Sequence, residues 1–276
     1  MKRLYLRVYR PFDKCEKLIC EWFYKIILDH SELIAYFEYG TFKGSYIQFV
    51  FFTEGITPFE KELTESIQKY INTILKPIVL KTNPPKIDKY FMDYPVNWLM
   101  CSPLVHIEPI DSADYIKSVN SLVLNMYVDK EISVKEFSTS IPAQLLLLQL
   151  LVNCDSKKEM LSFLERLFDS SINSNRKFAR NNLPMISRAY ELVKEDFDDI
   201  TRGYWKDQDA NYQMELLSLW QEVFMEGKPY YKNKEEKCAL FHSRYDRLFL
   251  SLDYDIFNRM FVIELIKKYI NLSGII

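Results

Sequence analysis

The spacing of apolar residues changes along the chain, and this change constrains the fold more than any other feature of the sequence. Residues 3–10 alternate with a period of two, with Leu4, Leu6 and Val8 on one side. From Asp111 onward, apolar residues recur almost everywhere at the spacing of helices. Alternation is typical of half-buried strands, whereas the longer spacing is typical of amphipathic helices. We therefore predict an α+β fold with its strands in the N-terminal part.

The order of elements in the N-terminal part is β-α-β-β-α. After the first strand we predict a helix that is capped by Asp13 and runs to about Leu28. Two strand-like stretches follow, LIAYFEYG and SYIQFVFF, and Thr57 and Pro58 begin a second helix. This order predicts a ferredoxin-like unit, in which helices pack on one face of a sheet.

Residues 76–109 contain six of the eleven prolines of the chain. Because proline lacks a backbone N–H and blocks helices, we predict an irregular connection here. Its apolar stretch YFMDYPVNWLM indicates that the connection lies across the surface of both halves, where a peptide groove would form. We take Tyr94 and Trp98 as candidate substrate-binding residues in that groove.

The rest of the chain is predicted to be helical. Ser133 and Ser156 each begin an S-x-x-E capping box, and the polar stretch 171–183 is predicted to be an exposed connection. We place helices near residues 112–128, 133–152, 156–170, 185–199, 210–226, 235–251 and 255–271. We predict one domain over residues 1–276, in which a β-rich half, 1–110, packs against a larger helical half, 111–276, across an aromatic-lined cleft.

The composition argues against several classes of function. The chain has 6 glycines and neither GxGxxG nor GxxxxGK[ST], so no glycine-rich nucleotide loop is predicted. The 3 histidines and 5 cysteines lack metal-ligand spacings, so we predict no metal, no cofactor and reduced thiols. A net charge of −2 argues against a nucleic-acid partner. The apolar run AQLLLLQLLV is about half the length that a membrane span needs. We expect a cytoplasmic monomer or homodimer.

The segment CALFHSRYDRLFLSLD carries the candidate catalytic residues. On a helix, His242, Tyr245 and Asp246 share a face, because they are three and four residues apart. An imidazole, a phenol and a carboxylate together suit general acid–base chemistry. The structural alternative is that this helix is an ordinary core helix and that His242 makes one hydrogen bond. That alternative predicts the buried stripe Phe241, Tyr245, Leu248 and Leu252.

The same segment resembles a known family. ALFHSRYDRLF is similar to the SLLHMHxNRL helix near the C-terminus of the lantibiotic-dehydratase C-terminal domain, a superfamily of glutamate-elimination domains and stand-alone enzymes of thiopeptide biosynthesis. The resemblance places His242 on the family histidine and Arg247 and Leu248 on its Arg-Leu pair, while Asp246 replaces an asparagine. The opening LYLRVYRPFDKCEKLI and the following hairpin also resemble the start of that domain.

The departures from the family pattern concern anion binding. Elimination members use arginines on the hairpin strand to hold a glutamyl carboxylate, and here Gln48 and Val50 stand at the matching positions. No arginine occurs between Arg10 and Arg166, and the family RYGG segment is replaced by KYFMDYPVNWLM. A guanidinium fork is the natural ligand of a carboxylate. The histidine helix is thus present without the family's carboxylate-binding residues.

This combination implies the pyridine synthase branch of the family. Such enzymes join two dehydroalanines of a modified, leader-bearing precursor peptide by a formal [4+2] cycloaddition, without a cofactor, and release water and the leader. By this resemblance, Gln48 and Arg247 join Tyr94 and Trp98 as candidate substrate-binding residues. Two alternatives stay open: a glutamate-elimination subunit of a split dehydratase, and a non-catalytic subunit that binds the leader peptide.

Overall fold

A computed structural model describes most of the chain as two compact units, Met1–Lys130 and Glu131–Ile276. The described residues are 2–41, 44–53, 57–75, 94, 96–104, 111–128, 140–174, 182, 184–186, 188, 191, 194–195, 212–227, 231, 233–252 and 256–272. The α+β class is confirmed. The division falls after Lys130 rather than at residue 110, so the helix after Asp111 belongs to the first unit. The single domain over both units stays a prediction.

The first unit has the ferredoxin-like order of elements. Its strands and helices are β1 (Lys2–Tyr9), α1 (Tyr24–Asp29), β2 (Ile34–Gly40), β3 (Tyr46–Thr53), α2 (Thr57–Thr73), β4 (Leu99–Leu104) and α3 (Ala113–Val128). The sheet order is β2-β3-β1-β4, and all three pairings are antiparallel. The predicted hairpin and the predicted β-α-β-β-α order are both confirmed.

The two faces of the sheet differ in what they bury. On one face, Leu6 of β1 lies opposite Phe49 of β3. There the ring of Phe49 lies 5.0 Å from that of Trp22 and 4.9 Å from that of Phe23. On the other face, Ile116 of α3 packs in one cluster with four residues of β2 and β3: Ile34, Tyr36, Val50 and Phe52. The alternation in the sequence correctly separated these two faces. The helix predicted near residues 112–128 is α3, and it covers the second face of the sheet, where we expected no helix.

Two local predictions in this unit are wrong. Asp13 does not cap a helix that runs on to Leu28; it lies in a 3₁₀ turn, Phe12–Lys14, and pairs with exposed Lys14 at 2.9 Å. A π-helical segment, Leu18–Phe23, then leads into α1, so the helix is not uniformly α-helical. The proline-rich segment is not wholly irregular, because β4 lies within it and pairs with β1. Proline is tolerated in an edge strand, where β4 lies. Apart from residue 94 and residues 96–104, residues 76–109 lie outside the described part.

The secondary structure of the second unit is helical throughout the residues that the structure describes, apart from short turns between helices. Its main helices are α4 (Ser140–Asn153), α5 (Lys157–Ser174), α6 (Tyr212–Glu226), α7 (Lys234–Leu252) and α8 (Ile256–Leu272). They enclose an apolar core in which Phe163 of α5 stacks on Phe241 of α7 at 4.9 Å. In the described residues, no helix is both long and apolar enough to cross a bilayer.

The helix boundaries follow the sequence signals with two differences. Ser156 caps α5, because its hydroxyl accepts the N–H of Glu159 at 3.3 Å, as the capping box predicts. The Glu159 carboxylate accepts the N–H of Asp155 at 3.0 Å, one residue earlier than expected. α5 also extends into the stretch that we predicted to be an exposed connection, and Ser171 there is buried and donates to the Leu167 carbonyl at 2.9 Å. The capping box at Ser133 and most of the predicted helix 185–199 lie outside the described residues.

A half-buried ion pair connects the beginnings of α5 and α7. The Lys237 ammonium lies 2.9 Å from a carboxylate oxygen of Glu159 and 3.7 Å from one of Asp155. Burial alone would raise the pKa of Glu159, but the Asp155 N–H and Lys237 lower it below its ordinary value. Burial would lower the pKa of Lys237, and the two carboxylates reverse this and raise it. This pair stabilises the start of the helix that carries His242.

We predict that replacing Gly40 by alanine disturbs the edge of the sheet. A Cβ at Gly40 would overlap the ring of Tyr46, which lies directly across from it. Because that ring is half-buried and can turn away, the cost should lie at the lower end of about 1–3 kcal/mol. Chemical denaturation of the variant measures this. In a Tyr46→Ala background the same substitution should cost almost nothing; an equal cost there would contradict the account.

We also predict a pH-dependent effect of Glu159→Gln. A lowered carboxyl pKa in the folded state stabilises the protein above the unfolded value of 4.5, and this contribution is lost as the pH falls through the folded pKa. The raised pKa of Lys237 stabilises the folded protein below the unfolded value of 10.5. This contribution is lost as the pH rises through the pKa of the folded state. The variant should therefore lose about 1 kcal/mol between pH 6 and 8, and less below about pH 4.5. Urea unfolding across this pH range is the measurement, with exposed Lys158→Met as the control.

Candidate functional site

The three candidate catalytic residues lie on α7, in different environments. Tyr245 is 2% exposed and sits in the apolar core, with its ring 5.7 Å from that of Phe249. His242 and Asp246 are half-buried. The stripe Phe241, Tyr245, Leu248 and Leu252 is buried, as the structural alternative predicts. α7 is therefore a core helix that presents two partly accessible polar residues beside the buried phenol.

Arg259 of α8 completes this group, and the sequence analysis did not identify it. Its guanidinium lies 5.5 Å from the ring centroid of Tyr245 and 5.6 Å from that of Phe249. It also forms an ion pair with the carboxylate of Asp246. The only signal in the sequence is the short separation between the end of α7 and the start of α8. Such a separation places an early residue of α8 near the last turns of α7.

Electrostatics keep the imidazole of His242 neutral near pH 7. Burial lowers its pKa, and the positive charges of Arg166 on α5 and Arg259 lower it further. Burial has the opposite effect on Tyr245: it raises the pKa of the phenol far above neutrality, so that the hydroxyl keeps its proton. The group therefore combines a neutral imidazole, a protonated phenol and a guanidinium.

Four polar atoms of this group are buried and have no hydrogen-bond partner. They are Nε2 of His242, the hydroxyl oxygen of Tyr245, Nε of Arg259 and Oδ1 of Asp246, which is ion-paired with Arg259 without a hydrogen bond. His242 and Tyr245 consequently do not hydrogen-bond each other. We call His242, Tyr245, Asp246 and Arg259 the α7–α8 polar cluster. Buried polar atoms are normally paired, so an unpaired set in one place is typical of a site that receives a ligand.

Arg247 lies outside the α7–α8 polar cluster. The residue is half-buried on α7, and its backbone carbonyl accepts the hydroxyl of Ser251 at 2.9 Å. Its assignment as a substrate-binding residue stays a prediction.

The other three candidate substrate-binding residues lie together in the first unit. Gln48 is 3% exposed, on the sheet face opposite Trp22 and Phe23. Arg7 of β1 donates from Nε to the Gln48 amide oxygen, and the Gln48 amide nitrogen donates to the carboxylate of Glu38 on β2. These three residues lie directly opposite one another on adjacent strands. They form a polar chain across the sheet.

A row of aromatic rings begins at this polar chain. The Arg7 guanidinium lies 5.0 Å from the ring centroid of Tyr46, and the rings of Tyr46 and Tyr9 are 5.4 Å apart. Tyr9 then contacts Tyr94 at 4.7 Å, and Tyr94 stacks on Trp98 at 6.0 Å. Trp98 is 48% exposed at the end of the row. We call Tyr46, Tyr9, Tyr94 and Trp98 the aromatic row.

Hydrogen bonds from the buried Arg10 side chain and from the backbone of the following turn position the outer end of the aromatic row. Arg10 donates to the side chain of Asn97 at 2.7 Å and to the Lys14 carbonyl at 2.7 Å. Asn97 has a φ of 65°, a left-handed conformation that asparagine tolerates better than most residues, and its N–H donates to the Tyr9 carbonyl at 2.7 Å. Trp98 in turn accepts the Tyr9 N–H at its carbonyl. This turn aligns Trp98 with the end of β1.

The polar chain changes the conclusion that no guanidinium lies at the hairpin. Gln48 stands where the family has an arginine, but Arg7 on the neighbouring strand places a guanidinium against it. The hairpin sequence alone does not reveal this guanidinium, although the alternation of β1 already put Arg7 and Tyr9 on one face. In the described residues, no group of three or more metal-ligating side chains occurs.

We predict that Tyr245→Phe stabilises the protein. The substitution removes only a buried hydroxyl that has no hydrogen-bond partner, and such a group costs about 1–3 kcal/mol. The free energy of unfolding should rise by roughly 1 kcal/mol, measured by urea denaturation. Tyr70→Phe is the matched control, because the Tyr70 hydroxyl donates to Glu21 at 2.6 Å, so its loss should destabilise. A loss of stability in Tyr245→Phe would show that its hydroxyl is paired.

Comparison with known proteins shows a likeness in fold and none in sequence. No protein-family model matches the chain, and no curated protein matches it by sequence. Among solved structures, the fold is similar to that of a pyridine synthase, TbtD, from thiomuracin biosynthesis, with a TM-score of 0.67 and 12% sequence identity. The match covers 100% of both chains. At this identity the likeness concerns the fold, which the two proteins share over their whole lengths.

Proposed function

We propose that the chain is a thiopeptide pyridine synthase. The observation that carries the proposal is the likeness in fold, over the full length of both chains, to a pyridine synthase of thiomuracin biosynthesis. A histidine helix similar to that of the family, α7, lies in the same chain and carries three members of the α7–α8 polar cluster. The substrate is a modified precursor peptide that bears a leader and two dehydroalanines.

The reaction needs positioning and proton transfer. One dehydroalanine and the iminol form of the amide that precedes it give a four-atom azadiene, and the second dehydroalanine supplies the other two atoms. Two carbon–carbon bonds form. Loss of water and of the leader peptide as an amide then gives the pyridine, so no oxidant is consumed. Holding the two alkenes at reacting distance supplies much of the rate.

The residues of the two units suit different parts of this task. His242 is neutral near pH 7 and has an unpaired ring nitrogen, so it is placed to accept or return a proton. The aromatic row offers stacking surface to a flat, azole-containing peptide, and Trp98 is its most exposed member. The edges of the sheet, β2 and β4, are the strands to which a leader peptide would add.

The polar chain favours a second candidate, a glutamate-elimination subunit. In that reaction a base removes the α-proton of a glutamylated serine, the C–O bond breaks, and free glutamate leaves. Arg7 is half-buried beside Gln48 and would grip the glutamyl carboxylate. The guanidinium already donates to Gln48 and lies over Tyr46, so fewer donors are left for a ligand. We therefore place this candidate second.

Incubation with two peptides separates the candidates. A dehydrated, leader-bearing peptide should be converted to a macrocycle that has lost water and the leader amide, as followed by mass spectrometry. A glutamylated peptide should be unchanged. Release of glutamate from the second peptide, with no change in the first, would establish the elimination subunit instead. Binding of both without conversion would indicate a non-catalytic subunit.

We predict that His242→Ala slows the cycloaddition by about 10²–10⁴, the usual contribution of one general acid–base group. Affinity for the leader peptide should not change. Because the pKa of His242 is lowered, the wild-type rate should be constant from pH 7 to 8 and fall only below 6.5. His30→Ala is the matched control, since His30 ends α1 in the first unit, 3.9 Å from Glu32 and Glu62. Equal rates for both variants would remove His242 from the mechanism.

A further inference from the structure

The α7–α8 polar cluster contains more unpaired hydrogen-bonding capacity than a proton-transfer histidine requires. Besides His242, both the Tyr245 hydroxyl and the Arg259 Nε are buried without a partner. The Arg259 guanidinium lies over the Tyr245 ring, so the two groups are neighbours. A phenol and a guanidinium N–H are both hydrogen-bond donors. Together they form a pair of donors that no group of the described protein satisfies.

We infer that Arg259 and Tyr245 are catalytic residues that together bind the carbonyl oxygen of the amide that becomes the iminol. The inference rests on the proposed cycloaddition. It adds Arg259, which lies outside the matched histidine motif, and it gives the Tyr245 hydroxyl a specific partner. Arg259 stands 17 residues after His242, on a different helix. Its place beside Tyr245 and Asp246 is known only from the structure.

The charges around Arg259 favour an amide oxygen over a carboxylate. Asp246 already pairs with the guanidinium and neutralises it. A carboxylate ligand would bring a second negative charge next to Asp246, among the buried rings of Phe241, Tyr245 and Phe249. An amide oxygen carries no full charge in the ground state but gains negative charge as its N–H proton leaves. Donors fixed in a partly apolar site stabilise that developing charge most.

The proton movement then balances within the cluster. Hydrogen bonds from Arg259 and Tyr245 to the amide oxygen make the adjacent N–H more acidic. His242 takes that proton at its unpaired ring nitrogen and returns it to the oxygen. The net change moves one proton from the amide nitrogen to its oxygen, which forms the C=N bond of the azadiene. Arg259 and Tyr245 keep their own protons.

If Tyr245 and Arg259 have these roles, their substitution should lower the rate of cycloaddition without lowering the stability of the protein. Tyr245→Phe should lower the single-turnover rate of cycloaddition by about 10²–10³, the typical loss for one such donor, while its melting temperature is unchanged or higher. Arg259→Lys should lower the rate similarly, because lysine keeps the charge and the partner Asp246 but lacks the Nε–H donor. Leader affinity should be unchanged in both.

Two control substitutions match these variants. Tyr269→Phe removes another hydroxyl from the same core, on α8, and Arg188→Lys changes an exposed arginine. Both should retain the wild-type rate. A purely structural role for Tyr245 or Arg259 would leave the rate of its variant at the wild-type value, or lower it only in proportion to unfolded protein. Either result overturns the inference, although the proposed function would stand.

A second measurement applies if the wild-type protein does not convert the peptide. The Nε–H proton resonance of Arg259 in ¹⁵N-labelled protein reports directly on hydrogen bonding at that atom. N-methylacetamide, a neutral amide probe, should shift this resonance downfield in the wild type and less in Tyr245→Phe. Arg244, whose guanidinium donates to the Gly227 carbonyl at 2.7 Å, is the internal control. A downfield shift would support an amide-oxygen site at Arg259 even if the protein does not catalyse the cycloaddition. The absence of a shift would overturn the inference.

Discussion

The pairing of β1 with β3 is the constraint on which the first unit depends. Leu6 lies opposite Phe49, and therefore Arg7 lies opposite Gln48 on the other face. A slip of one residue would carry the guanidinium into the apolar core and expose the phenylalanines, which makes the register costly to change. The same pairing thus buries the rings against Trp22 and Phe23 and assembles the polar chain with Glu38. The core and the candidate substrate surface are two faces of one register.

In the second unit, by contrast, the residues of the candidate site lower the stability of the core that holds them. Stacking of Phe163 on Phe241 and the buried stripe of α7 stabilise the helix. His242, Tyr245 and Arg259 then hold unpaired polar atoms within that packing. Each such atom lowers stability, since it has lost its water without gaining a partner. Proteins retain such costs at sites where a ligand later satisfies the atoms. This cost is the reason for which we propose the cluster as a site for a substrate oxygen.

A shared fold does not determine the reaction, so the two candidate reactions must be distinguished by their sites. A cycloaddition needs geometry, proton transfer and donors to an amide oxygen, which the α7–α8 polar cluster offers. An elimination needs a grip on a carboxylate, for which Arg7 is the candidate, although Gln48 and Tyr46 already engage it. The two proposals therefore differ in which guanidinium binds the substrate: that of Arg259 in the cycloaddition, or that of Arg7 in the elimination.

Local patterns in the sequence determined the α+β class, the hairpin, the two faces of β1 and the helical character of α7. Those features depend on residues two to four positions apart, so they can be read without a structure. Tertiary structure alone decided that Arg7 contacts Gln48, that β4 joins β1 from within the proline-rich segment, and that Arg259 pairs with Asp246. It also decided that the Tyr245 hydroxyl has no hydrogen-bond partner, whereas the helical spacing had shown only that Tyr245 shares a face with His242. Spacing along one helix fixes the face on which a side chain lies. Its partners come from other elements, and these meet only when the chain packs.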